Sequence, residues 1–162
     1  GMDPRIEGVT VEDLQARFDL ATRIRDRTSE ANEAVIRIRE IKSQIDGRME
    51  EAGDGELTAA GEDLKAALSA VEGEIYQVRN QSNQDPLNFP IKLNNKLAAL
   101  LGVVEGSENR PTDQSYEVFD YLSGLLDAEL GRLQEILDGD MAAFNRRLAG
   151  AGLEAIQIPG QV

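Results

Sequence analysis

Apolar residues in the first third of the chain recur at steps of three and four positions, the period of an amphipathic helix. They share one face of that helix, and the opposite face is charged. The apolar or small positions are Leu14, Phe18, Ala21, Ile24, Thr28, Ala31, Val35, Ile38, Ile41, Ile45 and Met49. The pattern predicts a helix of about 40 residues, or about 60 Å at 1.5 Å per residue. Such a helix needs partners of similar length, or another molecule, to cover its apolar face.

The start of this helix has a recognisable N-terminal signal. Thr10 is a favoured capping residue, and Asp13 stands three positions later as the acidic half of a capping box. Residues 1–9 contain Pro4 and Gly8. We expect them to form an extended lead-in from a longer parent chain.

A turn at residues 52–56 contains two glycines and ends the first helix. The second helix is predicted over residues 58–79, and it contains Gly61 and Gly73. Each glycine weakens a helix by about 1 kcal/mol relative to alanine. We therefore expect both to lie where helices approach closely. The residues predicted to be buried on this helix are Leu64, Leu68, Val71, Ile75 and Val78.

The segment Asn80–Leu101 does not read as a helix throughout. Pro86 and Pro90 each fix φ and push the preceding residue away from helical geometry. We expect Leu87 and Phe89 to hold this irregular connection against the core. A short helix then starts near Pro90 and is apolar nearly all round, which predicts deep burial. Its apolar residues are Ile91, Leu93, Leu97, Leu100, Leu101 and Val104.

A fourth helix is predicted to begin at Thr112, with Asp113 in its first turn. The junction at residues 138–140 is expected to kink it, and a short last helix follows. Residues 153–162 are expected to be a loosely attached tail. The apolar positions of these helices are Tyr116, Phe119, Leu122, Leu126, Leu130, Leu133, Leu137, Met141, Phe144 and Leu148.

No segment of the chain has the alternating pattern of a strand. The pattern as a whole predicts an all-α domain over residues 10–152, with 153–162 as its tail. The expected architecture is an up-and-down antiparallel bundle of three long helices, with a short buried helix and a C-terminal helical extension.

Composition narrows the possible chemistry. The 162 residues include no Cys and no His, which excludes zinc sites and Ser-His or Cys-His catalysis in their usual forms. The net charge of −13 opposes a nucleic-acid backbone, and basic residues form no stripe. No apolar run approaches the roughly 18 residues of a membrane-spanning helix. Nucleic acid and membrane are therefore not expected as partners.

Two sets of carboxylates have the residue types of a functional site. Asp54, Glu56, Asp138 and Asp140 are oxygen donors of the kind that Ca²⁺ or Mg²⁺ prefers, but their spacing matches no EF-hand loop. Their positions at helix junctions favour turn chemistry. Neighbouring acids on helix faces, namely Glu50, Glu51, Glu62 and Asp63, have the residue types of a glycosidase but are typical of solvated surface. We assign no catalytic, metal-binding or cofactor-binding residue.

Three aromatic residues lie close together at the start of the fourth helix. The helical period places Tyr116 and Phe119 on the inward face of the helix. It places Tyr121 on a lateral face or at the surface. Core packing is preferred over a sugar-stacking platform because aromatic residues are only 4% of the chain. The tripeptide at residues 80–82 fits the glycosylation sequon, which matters only in a eukaryotic secretory context.

Four stretches carry a family resemblance: residues 3–5, 26–32, 85–97 (DPLNFPIKLNNKL) and 110–119 (RPTDQSYEVF). They resemble the C-terminal region of large bacterial proteins built on BNR/Asp-box (sortilin-like) β-propellers, which are labelled glycosyl hydrolases. The similarity spans essentially the whole domain. The Asp-box pattern itself is absent, and the chain has no Trp. Glycosidase activity is therefore carried over to no residue here.

The resemblance implies a helical appendage of a secreted or periplasmic parent protein. The expected function is that of a non-catalytic structural or interaction module. Its partners would be the β-propeller of the parent chain or another subunit, and a homodimer is an alternative. A carbohydrate-associated accessory or catalytic domain that uses surface carboxylates is the alternative function. That alternative predicts a cleft with two nearby carboxylates, at least one of them desolvated.

Overall fold

The computed structural model of the chain describes residues 8–53, 55–76 and 92–160. Within these ranges the regular structure is helical throughout and contains no strand, so the all-α prediction is confirmed. The elements in chain order are α1 (Val11–Ala52), α2 (Gly55–Ile75), α3 (Leu93–Gly106), α4 (Asp113–Ile136), a π-helical turn (Leu137–Met141) and α5 (Ala142–Gly150).

Helix α1 has the caps that its sequence predicts. The Asp13 N–H donates to Thr10 Oγ1 at 3.0 Å, and the Thr10 N–H donates to Asp13 Oδ2 at 3.2 Å. This reciprocal pair satisfies two backbone donors that a helix N-terminus leaves unpaired. At the other end Gly53 takes φ 60°, and its N–H donates to Met49 O at 3.1 Å. The result is one unbroken helix of 42 residues.

Cross-helix contacts fix the direction of α2 along α1. Lys65 binds Asp46, and Lys42 binds Glu72, so residue numbers rise on one helix as they fall on the other. Helix α2 is therefore antiparallel to the second half of α1. The close approach expected at Gly61 is confirmed, because a Cβ there would overlap the Met49 side chain. The same expectation for Gly73 is wrong, since a Cβ there would meet no atom within 4 Å.

The first half of α1 is covered by α3 and α4. Arg25 binds Glu105, and the Arg17 guanidinium donates to the Ser107 carbonyl, which makes α3 antiparallel to α1. Arg27 binds Asp127 and Arg110 binds Asp13, so α4 runs parallel to α1. Helices α2 and α3 thus follow one another along α1, and the helix α4–π–α5 runs beside both. Among the described elements, three helices lie side by side at each level of the bundle in an up-down-up arrangement.

Several predicted boundaries shift. Helix α2 begins at Gly55, three residues before the predicted start, and α3 begins at Leu93, after the predicted start at Pro90. The part of the predicted second helix beyond Tyr76, residues 77–79, lies outside the described residues. So do the segment at residues 77–91, the predicted packing of Leu87 and Phe89, and the sequon at residues 80–82.

The prediction that α3 is buried on nearly all sides is wrong. Leu93, Leu97, Leu100 and Val104 are buried, but the Val103 side chain is 64% exposed. Among the described elements, α1 and α4 are the main neighbours of α3, and they leave Val103 exposed. Periodicity identifies the most apolar face of a helix but not how many neighbours cover it.

At the junction of residues 138–140, where the sequence predicts a kink, a π-helical turn at Leu137–Met141 joins α4 directly to α5. The turn keeps both Leu137 and Met141 buried, so the apolar stripe continues into Phe144 and Leu148. The expected short last helix is confirmed as α5. It ends at Gly150, and Gly152 just beyond it has φ 74°.

Residues 153–160 are attached to the bundle, contrary to the expected loose tail. Ile156 is buried, and its backbone N–H donates to Asn145 Oδ1 at 2.7 Å. The Gln44 side chain brackets Gln157, accepting from its N–H and donating to its carbonyl, both at 2.8 Å. These amide clamps pair backbone groups that an irregular segment leaves without partners. We call residues 153–160 the terminal strap.

We expect Ile156→Ala to lower the free energy of unfolding by about 2–4 kcal/mol, because it removes a buried side chain and leaves a cavity. The measurement is urea denaturation followed by circular dichroism. Ile36→Ala is the matched control, since Ile36 is 56% exposed and should change stability by less than about 0.5 kcal/mol. Equal stability of Ile156→Ala and the unaltered chain would mean that the strap does not stabilise the bundle.

Candidate functional site

An apolar cavity lies between α3 and α4. We call it the α3–α4 groove, and its volume is about 670 Å³. Its lining is mostly small and apolar side chains with a few hydroxyl and amide groups. The lining residues are Lys96, Ala99, Leu100, Val103, Thr112, Gln114, Ser115, Val118, Tyr121 and Leu122.

The groove follows from how the two helices bury their stripes. The core-facing positions of α3 leave Ala99 and Val103 on the side of the helix next to the groove. On α4, Phe119 and Leu122 turn inward, which leaves Val118 and Tyr121 at the opening. Val103 and Tyr121 are 64% and 65% exposed. Exposed apolar side chains that converge on one concave surface are typical of a binding surface.

The turn between the two helices is fixed by contacts at both of its ends. The Ser115 N–H donates to Thr112 Oγ1 at 3.0 Å, which caps α4 as predicted. Arg110 reaches Asp13 on α1, and Arg17 donates to the Ser107 carbonyl, so both ends of the turn are held on α1. The groove walls are therefore two anchored helices.

A second apolar area lies at the start of α1. The sequence pattern placed Leu14 and Phe18 on the buried face, but both are exposed, Phe18 by 61%. They border a shallow pocket of about 140 Å³ together with Arg17, Arg25 and Glu105. That prediction is wrong because the apolar face of α1 extends to positions that α3 does not cover.

A third cavity lies between α2 and α4 and is chemically different. We call this cavity of about 840 Å³ the α2–α4 groove. Apolar side chains of both helices contribute to its lining, together with four carboxylates and one guanidinium. The lining residues are Ala67, Ala70, Val71, Glu74, Leu125, Glu129, Arg132, Glu135, Ile136 and Asp140.

Glu129 is the buried acid of the α2–α4 groove. It is only 6% exposed, and one of its oxygens accepts from Arg132 on the next turn. Burial raises the pKa of Glu129, the Arg132 charge partly opposes that rise, and the Glu74 carboxylate adds to it. A carboxyl group in such a setting holds its proton at higher pH than a solvated one.

Glu72 is also buried, but its surroundings lower its pKa instead of raising it. At 2% exposure it accepts from Lys42 Nζ and Arg39 Nε, both at 2.9 Å, and Lys42 also reaches Ser69. Burial alone would raise the pKa of Glu72, but the bonds from Lys42 and Arg39 outweigh it and hold the pKa below its ordinary value. This cluster ties α2 to α1.

The sequence prediction missed both buried glutamates, although a signal was available. Glu129 stands three residues after Leu126 and four before Leu133, which is a position on the buried stripe of α4. Glu72 lies between Val71 and Ile75 on α2. An acid on a buried stripe is expected only where it is paired or neutral.

The carboxylates that the sequence singled out lie elsewhere. Glu50, Glu51, Glu62 and Asp63 are all exposed on helix surfaces, and Asp54 lies outside the described residues. Glu56 and Asp138 are exposed at helix junctions, whereas Asp140 borders the α2–α4 groove. Within the described ranges, no group of three or more acidic side chains is arranged to hold a metal ion.

The three aromatic residues of α4 lie as predicted. Phe119 is buried beneath the Arg23 guanidinium, whose carbon is 4.7 Å from the ring centroid. Tyr116 is half-buried against the core, and Tyr121 is exposed at the mouth of the α3–α4 groove. Of these three, Tyr121 is therefore the one placed to contact another molecule.

Comparison with family models, with curated proteins and with solved structures gives no match to this chain. The resemblance to BNR/Asp-box proteins therefore stays a prediction from the sequence motifs. Among the described helices, none combines the length and the apolar character that crossing a membrane requires.

The two buried glutamates lead to opposite pH dependences of stability. The lowered pKa of Glu72 stabilises the fold above the ordinary value of 4.5, and this contribution is lost as the pH falls through the folded-state pKa. The raised pKa of Glu129 destabilises the fold. This destabilisation is absent below pH 4.5 and grows as the pH rises from 4.5 toward the folded-state pKa of Glu129.

We expect Glu72→Gln to destabilise the protein by about 2 kcal/mol at pH 7, because it removes two charged hydrogen bonds. That deficit should shrink as the pH is lowered toward 3. Glu129→Gln should instead raise the melting temperature at pH 7 and have no effect near pH 3. Thermal unfolding across this pH range measures both, with the exposed Glu50→Gln as a control. Parallel pH profiles for the two variants would contradict the opposite shifts.

Proposed function

We propose that this chain is a non-catalytic interaction module that docks on another domain through the α3–α4 groove. The observation that carries the proposal is the groove itself, an apolar cavity of about 670 Å³ with Val103 and Tyr121 exposed at its opening. Protein interfaces are enriched in aromatic side chains at their centre, and such contacts supply much of the binding energy.

The partner that we propose is the β-propeller of a longer parent protein, which places the chain in the periplasm or outside the cell. This part of the proposal is supported by the resemblance to BNR/Asp-box proteins. One of the stretches that carry it, residues 110–119, supplies four lining residues of the groove: Thr112, Gln114, Ser115 and Val118. A motif that forms the wall of an exposed groove fits a role in binding better than a role in the core.

We expect Val103→Ser and Tyr121→Ser each to weaken binding to the separately produced β-propeller by about tenfold or more, as truncation of a central contact does. Isothermal titration calorimetry measures the affinity. Both residues are exposed, so the fold should be unaffected, which a thermal scan checks. Ile36→Ser is the matched control, because it makes a similar aliphatic-to-hydroxyl change on another exposed position. Equal affinity of Val103→Ser, Tyr121→Ser and Ile36→Ser would contradict docking through the groove.

A second candidate function is that of a carbohydrate-associated domain, which the α2–α4 groove favours. The groove contains a desolvated carboxyl, Glu129, whose pKa is raised, together with the carboxylates of Glu74, Glu135 and Asp140. A general acid and a second carboxylate are the groups that glycoside hydrolysis requires. In this function Glu129 would be the proton donor.

The carbohydrate function predicts that the chain hydrolyses at least one of a panel of nitrophenyl glycosides, or binds a glycan on an array. Glu129→Gln should lower hydrolysis by about a hundredfold, because it removes the general acid. Glu50→Gln, an exposed acid elsewhere, should leave the rate unchanged. An absence of both hydrolysis and glycan binding would eliminate this candidate and leave the interaction module unaffected.

A further inference from the structure

We infer that the terminal strap is exchangeable between copies of this chain. The site that holds residues 153–160 between α1 and α5 accepts the strap of a second copy in the same way. The product is a dimer in which each strap is seated on the bundle of the other copy. This inference is independent of the proposed function, because it uses neither the α3–α4 groove nor the α2–α4 groove.

The site binds the strap largely through its backbone. On α1, the Gln44 amide pairs with both the N–H and the carbonyl of Gln157. One turn further along α1, Arg48 Nε donates to the Glu154 carbonyl at 2.7 Å. Asn145 binds the strap from the side of α5. Side chains that pair with backbone groups bind a segment whichever copy of the chain supplies it.

Three apolar side chains set the register of the strap. Ile156 is buried, and Leu153 and Ile158 pack against the same core. Between them, the side chains of Glu154 and Gln157 are exposed. The occupant is therefore a non-helical segment with apolar residues at its first, fourth and sixth positions. The strap of a second copy has this pattern by identity, and it is the segment that the structure shows seated in the site.

The joint between α5 and the strap is short and rich in glycine. Helix α5 ends at Gly150, and the chain turns at Ala151 and Gly152, where φ is 74°. The Leu153 N–H closes the turn by donating to the Leu148 carbonyl at 2.8 Å. When this bond opens, the joint is able to continue α5 and to carry the strap away from its own bundle.

Exchange replaces every contact of the strap with an identical contact on the other copy. The free-energy difference between monomer and dimer then comes from the joint, the loss of translational freedom and the charge. The net charge of −13 on each copy opposes association. We therefore expect a chain that is mainly monomeric, with a dimer fraction that grows with protein concentration and with salt.

Gly152→Ala tests the joint. A Cβ at φ 74° disfavours the closed turn, and alanine favours a continued helix, so the dimerisation constant should rise about tenfold or more. Gly131→Ala is the matched control, because Gly131 is exposed on α4 and has no positive φ. It should leave the dimerisation constant unchanged. Sedimentation velocity over a concentration series at physiological salt measures both.

A pair of engineered cysteines shows which contact holds the dimer. Glu51 on α1 and Glu154 on the strap are exposed and bind the same Arg48 guanidinium, at 3.5 and 3.6 Å. The chain has no Cys of its own. With Glu51→Cys and Glu154→Cys added to Gly152→Ala, a short bis-maleimide should join two chains in the dimer fraction and link only within one chain in the monomer fraction. Denaturing electrophoresis separates the two products.

The controls for cross-linking are the two single-cysteine variants, which should remain single chains. The cysteine pair without Gly152→Ala should give less of the two-chain product. Val103→Ser leaves the strap site intact and should not change the dimer.

Each contrary result overturns the exchange. If the Gly152→Ala chain is as monomeric as the unaltered chain at every concentration, the strap does not leave its own bundle. A dimer whose cross-links lie only within single chains associates through another surface. A dimer that Val103→Ser abolishes is held by the α3–α4 groove. None of these results bears on binding of the β-propeller, which the groove variants test separately.

Discussion

The structure depends on covering one continuous apolar stripe, the inner face of α1. Ile24, Ile38, Ile41 and Ile45 on this face are completely buried. Because a helical backbone satisfies its own hydrogen bonds, the main requirement that remains is to remove these side chains from water. None of the described helices that follow is as long as α1. Helices α2 and α3 therefore cover it in series, and α4 with α5 lies along both.

The sequence predicted the features that depend on local chemistry. The capping box of Thr10 and Asp13, the cap at Thr112 and the close approach at Gly61 are set by residues near one another or by the small size of glycine. The exposed side of α3 was not predictable in the same way. An apolar pattern states which positions prefer burial, whereas coverage of Val103 depends on the number of helices in each cross-section. The exposure of Phe18 has the same origin.

The π-helical turn and the terminal strap are two further features that the sequence pattern did not predict. Glu129, Leu133, Leu137 and Met141 are spaced by three consecutive steps of four, which an ordinary α-helix at 3.6 residues per turn cannot keep on one face. A wider turn restores the alignment, so the spacing carried a signal that the Asp-Gly-Asp junction obscured. The strap at residues 153–160 has no helical period, and its attachment comes from side-chain amides of Gln44 and Asn145, which are distant in sequence.

Because α2 and α3 cover α1 in series, the bundle has two segments, one that contains α2 and one that contains α3. Among the described elements, α1 and the α4–α5 helix pass from one segment to the other. The segment with α2 contains the Glu72 ion cluster and the strap, while the segment with α3 has a cover helix of only 14 residues. A local opening of the structure requires the least free energy where it releases a short, half-exposed helix such as α3. Occupation of the α3–α4 groove would therefore act as a local brace, which suppresses fraying at this end and leaves the other segment unchanged.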